Sequence, residues 1–316
     1  MRVDDEELQV RLAGGGMVAG PDDASDGYLK ALTHLLVSVA DSELFGMPNL
    51  FNAVQDAPSA SAYLGGMAIL QDEVAHALVA YRLLADLGVD THHLLYERPA
   101  AECRHAYSFD IPQHRWAEFA VNSAFLDRAG FHLLGDAYHH TSYAPWRRAL
   151  AKVHREETFH IRMGERWMRL LGEEDEGRAQ VQRAVDWMFL MGLEFFGQPD
   201  TLKRNVGQLR YRLRSKSNDE LRQDWLDDTA ALCHRLGYAV PTHRDDETGR
   251  FVVDCPFPAD FDEENKRWKL EEGPVGWDSV LARWRRRGPL IDWCLAEIRA
   301  GHHEVFGSEN GGSARD

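Results

Sequence analysis

The sequence is poor in cysteine and has no glycine-rich cofactor motif. Its four cysteines, Cys103, Cys233, Cys255 and Cys294, are widely spaced and form no CxxC pair, which is not the pattern of a zinc site, an iron–sulfur site or a disulfide framework. No GxGxxG motif follows a strand pattern, and Gly14-Gly15-Gly16 lies in a polar segment without that spacing. The chain therefore shows no flavin, nicotinamide or iron–sulfur site of its own, and any redox chemistry needs electrons from elsewhere.

Long apolar runs and an excess of positive charge are also absent. No run of about 18 apolar residues occurs, and the N-terminal MRVDDEELQV has no basic region followed by an apolar stretch. These absences predict a cytoplasmic protein with no signal peptide and no membrane span. The formal net charge of −15 argues against general nucleic-acid binding, because a phosphate backbone needs a clustered positive surface.

The apolar pattern that is present predicts an all-α fold. Between about 26 and 240, apolar residues recur at intervals of three and four, as in amphipathic helices. Gly88, Gly172 and Gly237 stand where helix C-caps are expected, and Ser217-x-x-Glu220 has the form of a capping box. The predicted helices cover 27–46, 59–87, 115–138, 145–171, 176–196, 200–212 and 218–237.

Composition divides the chain into four predicted parts. A polar, glycine-rich N-terminal arm at 1–25 is expected to be flexible, and 26–240 is expected to form the helical domain. Residues 241–305 begin with a stretch rich in Pro, Gly and charge. They are expected to pack on the bundle as a C-terminal extension with a short strand at Phe251–Val253 and further helix. The tail at 306–316 is expected to be disordered.

Two of the predicted helices carry a Glu-x-x-His motif on their buried face. Glu73 and His76 lie in the second predicted helix, and Glu157 and His160 lie in the fourth. Residues three apart share one helix face, and both pairs fall on the apolar stripe, where a core helix normally places leucine. In the fourth helix this stripe consists of Leu150, Val153, Glu157, His160, Gly164, Trp167 and Leu171.

Two further helices each place one carboxylate on their apolar stripe, Glu43 in the first and Asp127 in the third. A buried, unpaired carboxylate is costly, so such groups are normally paired or bound to a metal. Four carboxylates and two neutral imidazoles balance two divalent ions, as in four-helix di-iron proteins, and mixed oxygen and nitrogen ligands suit iron or manganese. Ion pairs with Arg128 or Arg155 are the alternative, but such pairs do not easily satisfy all six groups.

At these residues the sequence resembles the family of catalytic subunits of the ring 1,2-phenylacetyl-CoA epoxidases, which are multicomponent bacterial monooxygenases. The resemblance extends over about 27–300. It is strongest at Asp41-Ser42-Glu43-Leu44-Phe45-Gly46-Met47, Gln71-Asp72-Glu73-x-x-His76, Thr141-Ser142-Tyr143-Ala144-Pro145, Glu156-Glu157-x-Phe159-His160 and Ser217-Asn218-Asp219-Glu220-Leu221-Arg222-Gln223. The last stretch has no role in metal ligation, so it supports kinship independently of the chemistry.

The resemblance implies a ferritin-like four-helix bundle with a di-iron centre of two iron ions. The implied ligands, which are also the implied catalytic residues, are Glu43, Glu73, His76, Asp127, Glu157 and His160. The implied reaction inserts one oxygen atom of O2 across a ring double bond of an aromatic acyl-CoA thioester, with phenylacetyl-CoA as the first candidate. The implied partners are a related non-catalytic ferritin-like chain and a flavin and Fe–S reductase that uses NADPH.

Two departures from the family concern one ligand and the substrate. The interval of 30 residues from Asp127 to Glu157 is one residue longer than in the family, which leaves the role of Asp127 as a ligand open. Ile69 stands four residues before Glu73, where the family has lysine. The alternatives are a related di-iron oxygenase acting on benzoyl-CoA or a biosynthetic aromatic thioester, and a non-catalytic ferritin-like partner subunit, against which six intact polar groups argue.

Residues beside the predicted ligands also have expected roles. Asp72 and Glu156 immediately precede the two Glu-x-x-His motifs. They are expected to point off the inner face and hydrogen-bond other helices, where one of them can orient an imidazole. The aromatic run at 187–196 is expected to be core, with the lining of an apolar substrate pocket as its alternative role.

Overall fold

The computed structural model describes residues 2–203 and 207–306, and this part of the chain is mainly helical. Its helices are α1 (Asp5–Ala13), α2 (Asp26–Val54), α3 (Ala60–Asp86), α4 (Trp116–His140), α5 (Ala144–Leu171), α6 (Asp175–Glu194), α7 (Gly207–Arg210), α8 (Asn218–Leu236), α9 (Trp277–Arg286) and α10 (Pro289–Phe306). Its strands are β1 (Thr242–Arg244), β2 (Phe251–Val253), β3 (Phe261–Asp262) and β4 (Arg267–Trp268). The prediction of an all-α, ferritin-like fold is confirmed.

Local sequence determines where several helices begin and end. The side chains of Ser25 and Ser59 accept backbone N–H hydrogen bonds in the first turns of α2 and α3. The predicted capping box opens α8, and Gly237 closes that helix in the left-handed conformation, with φ 75°. Helix α2 runs beyond its predicted end at 46 and passes through Pro48, so the bundle tolerates one missing intrahelical hydrogen bond there.

Four long helices form the bundle that carries the predicted site. Helix α2 packs along α3 and α4 packs along α5, while α6 and α8 pack on α4. Helices α3 and α5 run antiparallel across the bundle, since Asp72 lies beside His160 and His76 lies beside Glu156. At the crossing of α4 and α5, a Cβ atom on Gly164 would lie 2.4 Å from a backbone nitrogen of α4, so this close approach requires glycine.

The chain beyond α8 forms two short antiparallel hairpins, where the sequence predicts a single strand. Strand β1 pairs with β2, and β3 pairs with β4. Trp268 in β4 donates a hydrogen bond from Nε1 to the carbonyl oxygen of Trp187 at 2.8 Å. Arg283 in α9 forms a buried ion pair with Glu194 at 2.5 Å. Both contacts hold this part of the chain against α6.

The N-terminal segment is folded, which differs from the predicted flexible arm at 1–25. Helix α1 buries Leu8 and Leu12 almost completely, and the backbone of Val18 hydrogen-bonds to the segment before α5. The polar composition of this segment concealed a short helix. Its two buried leucines are too few to give the repeated apolar spacing by which the longer helices were predicted.

Two further expectations concern the ends and surfaces of the fold. The tail predicted to be disordered at 306–316 begins at the last residue of α10, and 307–316 lie outside the described residues. Within the described ranges, no helix is both long enough and apolar enough to cross a membrane.

Candidate metal centre

The four bundle helices bring all six predicted site residues to one place inside the protein. Helix α2 contributes Glu43, α4 contributes Asp127, and α3 and α5 contribute the two Glu-x-x-His motifs. Two groups of possible ligand atoms result, each with its members within 4.8 Å of one another: Glu43, Glu73, His76 and Glu157 form one, and Glu73, Asp127 and His160 form the other. Their side chains are at most 13% exposed.

Glu73 lies between the two histidines. Its Oε1 is 3.1 Å from His160 Nδ1, and its Oε2 is 3.5 Å from His76 Nδ1. Glu157 lies between them in the same way, with Oε1 3.5 Å from His76 Nδ1 and Oε2 3.8 Å from His160 Nδ1. Each of these two carboxylates can therefore bridge a pair of metal ions.

Glu43 and Asp127 each lie beside one histidine only. Glu43 Oε2 is 3.8 Å from His76 Nδ1, and Asp127 Oδ2 is 4.0 Å from His160 Nδ1. The pocket thus consists of two halves, each with one histidine and one carboxylate of its own, and Glu73 and Glu157 lie between the two halves. The additional residue between Asp127 and Glu157 does not turn Asp127 away from the pocket. Helix α4 extends through His140 and keeps the same face toward α5.

The outer nitrogen of each histidine faces a carboxylate of the opposite helix. His76 Nε2 is 3.1 Å from Glu156 Oε2, and His160 Nε2 is 3.3 Å from Asp72 Oδ2. A protonated Nε2 donates to this carboxylate, and the lone pair of Nδ1 is then directed into the pocket. Carboxylates that hold metal-binding histidines in this way fix their tautomer and raise their basicity. Both Asp72 and Glu156 have the contact that the sequence suggested for one of them.

Several polar atoms of the pocket have no hydrogen-bond partner among the described residues. They include His76 Nδ1, His160 Nδ1 and Asp127 Oδ2, all buried. Buried polar atoms are normally paired, so such exceptions need a specific explanation. Imidazole nitrogen and carboxylate oxygen are both ligands for iron and manganese. The residues present therefore fit a pair of divalent cations.

Within 2–203 and 207–306, no arginine or lysine forms an ion pair with these carboxylates. Burial and the neighbouring Glu73 carboxylate raise the pKa of Glu43 to about 8 and that of Asp127 to about 7. The same causes raise the pKa of Glu157 well above its ordinary value. Burial also opposes ionisation of Glu73, but the two histidines beside its oxygens outweigh it and hold that pKa well below its usual range.

The histidines respond to the surrounding negative charge. Burial tends to lower their pKa values, but Glu43 and Glu73 raise the pKa of His76 to about 12, and Glu73 and Glu157 raise that of His160 to about 10. Protons therefore occupy sites where metal ions would bind. Metal binding would release these protons, since imidazole binds metals in its neutral form.

A cavity of about 40 Å³ lies on the carboxylate side of the pocket. Its lining includes all four carboxylates and, beyond them, Ser42, Gly46, Leu50, Phe109, Asn122, Leu126, Gly130 and Phe195. Neither histidine belongs to the lining among the described residues. The pocket therefore has a cavity side and a histidine side, the latter between α3 and α5.

Sequence reasoning did not single out Asn122 or Phe109. Asn122 is 1% exposed, and neither atom of its side-chain amide has a hydrogen-bond partner in the described part of the chain. The available signal was a polar residue inside the apolar first half of α4. Phe109 belongs to the irregular segment before α4 and meets Phe195 edge to face, with ring centroids 6.3 Å apart. Phe195 does come from the aromatic run that the sequence offered as a pocket lining.

Fold and pocket together define a ferritin-like helical protein with a carboxylate–histidine cluster inside its bundle. The chain belongs to the family described as "Phenylacetic acid catabolic protein", whose family model matches residues 11–266. It is 29% identical over 252 residues to the A subunit of the 1,2-phenylacetyl-CoA epoxidase of Escherichia coli (strain K12), a match that covers 78% of this chain and 81% of that protein. The resemblance inferred from the sequence is confirmed.

Proposed function

We propose that this chain is the catalytic subunit of a multicomponent di-iron monooxygenase that epoxidises the aromatic ring of an acyl-CoA thioester, with phenylacetyl-CoA as the substrate. One observation carries the metal assignment: Glu73 and Glu157 each place one oxygen beside His76 and the other beside His160. The substrate assignment comes from the family and from the relative's activity. O2 supplies the oxygen atom, and a separate flavin and Fe–S reductase supplies electrons from NADPH.

The proposed ligands are Glu43, Glu73, His76, Asp127, Glu157 and His160. Two iron ions held by them would supply the reductive activation of O2, which is the metals' own chemistry. Four carboxylates offset the four positive charges of two divalent ions, so the loaded pocket is close to neutral and burial no longer opposes it. Asp72 and Glu156 keep the two imidazoles oriented toward the pocket.

The cavity is the proposed position of the reacting ring. Its volume of about 40 Å³ is far below the roughly 300–1,000 Å³ of typical small-molecule sites, so an aromatic ring requires side chains to move. Phe109 and Phe195 are the apolar residues expected to shift and to contact the ring. The Asn122 amide, which has no partner among the described residues, can then hydrogen-bond a polar atom of the substrate such as the thioester carbonyl.

A basic cluster supports an anionic group such as CoA in the substrate. Arg104 Nη1 lies 2.8 Å from His34 Nδ1, and Lys203 and Arg214 both donate to Asn218 Oδ1, at 3.1 and 2.7 Å. Burial together with Arg104 and Lys203 lowers the pKa of His34, and burial together with Arg214 lowers that of Lys203 to about 8.

Carboxylates balance this cluster only at a distance, since Asp200 acts on Lys203, and Asp136, Asp200 and Glu220 act on Arg214. Among the described residues, none of these cations forms an ion pair with a carboxylate. Phosphate groups would lower the free energy of such a cluster. His34 precedes Glu43 by nine residues on α2, about 13 Å at about 1.5 Å per residue. Nine residues are also two and a half helical turns, so the cluster lies on the opposite side of α2 from the cavity, and an acyl-CoA bound to the cluster would have to bend around this helix to reach the pocket.

Ile69 favours a second candidate, a related di-iron oxygenase that acts on benzoyl-CoA or a biosynthetic aromatic thioester. Ile69 is fully buried and packs in an apolar cluster with Leu50, Trp116 and Phe119. The lysine that the family has there would bring a positive charge to this cluster, and isoleucine does not. A non-catalytic partner chain is the weaker alternative, because a protein without chemistry needs no such pocket.

The test of the metal proposal is anaerobic loading with Fe(II), followed by iron counting and Mössbauer spectroscopy. We expect two irons per chain in a coupled pair. Less than one iron per chain would contradict the proposal, and Glu73→Ala serves as the control that loses the bridge. Assay of phenylacetyl-CoA, benzoyl-CoA and other aromatic acyl-CoA thioesters with NADPH and a suitable reductase then decides between the two candidate functions.

A further inference from the structure

The outer face of α5 carries a second regular stripe, opposite the one that forms the metal pocket. Its residues recur at intervals of four and three along the whole helix: Arg148, Lys152, Arg155, Phe159, Arg162, Arg166 and Arg169. Side chains at this spacing share one helix face. All seven are exposed, and Phe159, in the middle of the stripe, is 47% exposed. We call this set the outer α5 stripe.

The charge of this stripe is unusual for the molecule. Helix α5 contains seven Lys and Arg residues against three Asp and Glu residues, in a chain whose formal net charge is −15. Lys152 pairs with Glu156, and Arg169 pairs with Glu173. Among the described residues, the other four arginines of the stripe have no ion-pair partner. A solvated face needs no such concentration of one charge, whereas docking of an acidic partner benefits from it.

The outer α5 stripe is also connected to the metal pocket. Lys152 hydrogen-bonds Glu156, and Glu156 in turn lies 3.1 Å from His76 Nε2. Phe159 is adjacent in the chain to His160, whose Nε2 faces Asp72 at 3.3 Å. This is the histidine side of the pocket, so a partner docked here leaves the cavity side accessible to substrate.

We infer that the outer α5 stripe is the docking surface for an acidic electron-transfer protein that reduces the metal pair from its histidine side. The inference rests on the proposed function, in which electrons come from a separate protein. In each step the donor's redox centre loses one electron and the metal pair gains one, so two steps supply the two electrons that monooxygenation requires. Glu156 and His76 form a short hydrogen-bonded connection from the stripe to the pocket.

The composition of the stripe fits a transient donor better than a permanent subunit. Permanent interfaces are large and strongly apolar, whereas weak redox encounters bury less than about 1,200 Å². A row of six cations around one exposed phenylalanine offers electrostatic attraction and a single apolar contact. Complementary charge accelerates association and is weakened by salt, which suits a donor that must bind and leave in each catalytic cycle.

The test uses an acidic plant-type [2Fe–2S] ferredoxin as the probe and the full-length chain loaded with iron. The docking variant is Arg155→Glu/Arg162→Glu. The matched control is Arg267→Glu/Arg285→Glu, which changes the net charge equally at two exposed arginines in β4 and α9. Affinity is measured at low and high ionic strength, and the rate at which ferredoxin reduces the protein-bound iron is measured by stopped flow.

We expect the docking variant to bind ferredoxin at least about tenfold more weakly at low salt, with a shallower salt dependence, since two opposed charge pairs are reversed. The control should behave as the wild type. Dithionite, which needs no docking surface, should reduce the iron of all three proteins equally. Equal ferredoxin affinity of the docking variant and the control would overturn the inference, as would salt-independent binding by the wild type. Failure of the wild type to bind iron would instead overturn the proposed function.

Discussion

Two buried carboxylates on helix α2, Asp41 and Glu43, differ in how the protein treats their charge. Asp41 accepts hydrogen bonds from Tyr81 Oη at 2.9 Å, Arg98 Nη1 at 2.9 Å and Arg104 N at 2.7 Å. Glu43, only two residues later, has two further carboxylates and a histidine beside it, and no arginine or lysine pairs with it in the described part of the chain. Asp41 is neutralised by an arginine of the protein, whereas Glu43 has no such partner in the described part of the chain and its pKa is raised to about 8.

This difference distinguishes carboxylates that are buried to hold the fold together from carboxylates that are buried for function. A carboxylate that holds a fold together has its full set of protein donors, because an unpaired buried charge is costly. A carboxylate without protein donors keeps its oxygens available, and burial then raises its pKa, as it does for Glu43, Asp127 and Glu157. Glu73 differs because both histidines lie beside its oxygens and lower its pKa. The same contrast applies to neutral side chains. Asn49 has partners for both ends of its amide, whereas Asn122 has none within the described ranges.

The largest effect is expected for Glu73→Ala, which removes one of the two carboxylates proposed to bridge the metal pair. Loss of outer partners of metal ligands already costs about 10–100-fold, so loss of a bridge should reduce epoxidation by more than about 100-fold. The iron content should fall below two per chain. Both are measured by turnover of phenylacetyl-CoA and by metal analysis. Retention of full activity or of a coupled iron pair would show that Glu73 is not a ligand.

The next effect concerns stability and compares two aspartates directly. Asp41→Asn breaks a buried ion pair and should lower the free energy of unfolding by about 3–5 kcal/mol. Asp127→Asn, in iron-free protein, should change it by no more than about 1 kcal/mol or raise it, because burial raises the pKa of Asp127 to about 7 and no arginine or lysine pairs with it in the described part of the chain. Urea unfolding of the iron-free proteins measures both. Equal destabilisation by the two substitutions would remove the distinction between them.

The helical pattern predicted much of this arrangement, because the period of an α-helix fixes which side chains share a face. That is why each Glu-x-x-His pair could be assigned to the buried face of its helix from spacing alone, whereas the meeting of the two pairs in one pocket was inferred from the four-helix di-iron pattern. The same reasoning found Glu43 and Asp127 as charges on apolar stripes. Each of these six depends only on its own helix and on the bundle's tendency to bury apolar stripes.

Features that depend on irregular segments could not be predicted in this way. Phe109 reaches the cavity from a non-helical segment whose path is set by tertiary contacts such as the hydrogen bond from Asn49 Nδ2 to Phe109 O at 2.8 Å. The hairpins beyond α8 have strands of two or three residues, too short for a periodic signal. Helix α1 was missed because Leu8 and Leu12 are a single apolar repeat.

A smaller effect is expected at the outer partners of the histidines. Glu156→Gln should lower iron affinity by about 10–100-fold, because a neutral amide supports the His76 imidazole less strongly than a carboxylate does. Glu165→Gln is the matched control on the same helix, since Glu165 pairs with Arg128 and belongs to neither group of candidate ligand atoms. Competition with a chelator measures the affinities. Identical affinities of the two variants would place Glu156 outside the metal centre.

The smallest effect is expected for Asn122, and it tests the comparison between the two buried asparagines, Asn49 and Asn122. Asn122→Leu removes a buried amide that has no partner among the described residues, so the free energy of unfolding should be unchanged or higher by about 1 kcal/mol. Loss of one substrate hydrogen bond of about 1.4 kcal/mol should lower kcat/KM for the acyl-CoA about tenfold. Unfolding in urea and steady-state kinetics measure the two quantities.

Asn49→Leu is the control for this substitution, because it removes an amide whose hydrogen bonds are made. It leaves Phe109 O and Gln113 N without the partners that they have at 2.8 and 3.2 Å. Each lost partner should destabilise the fold by about 1–3 kcal/mol. If Asn122→Leu destabilises the protein as much as Asn49→Leu does, then Asn122 supports the fold. A drop in kcat/KM without loss of stability assigns its amide to the substrate, because only the bound ligand then remains as its partner.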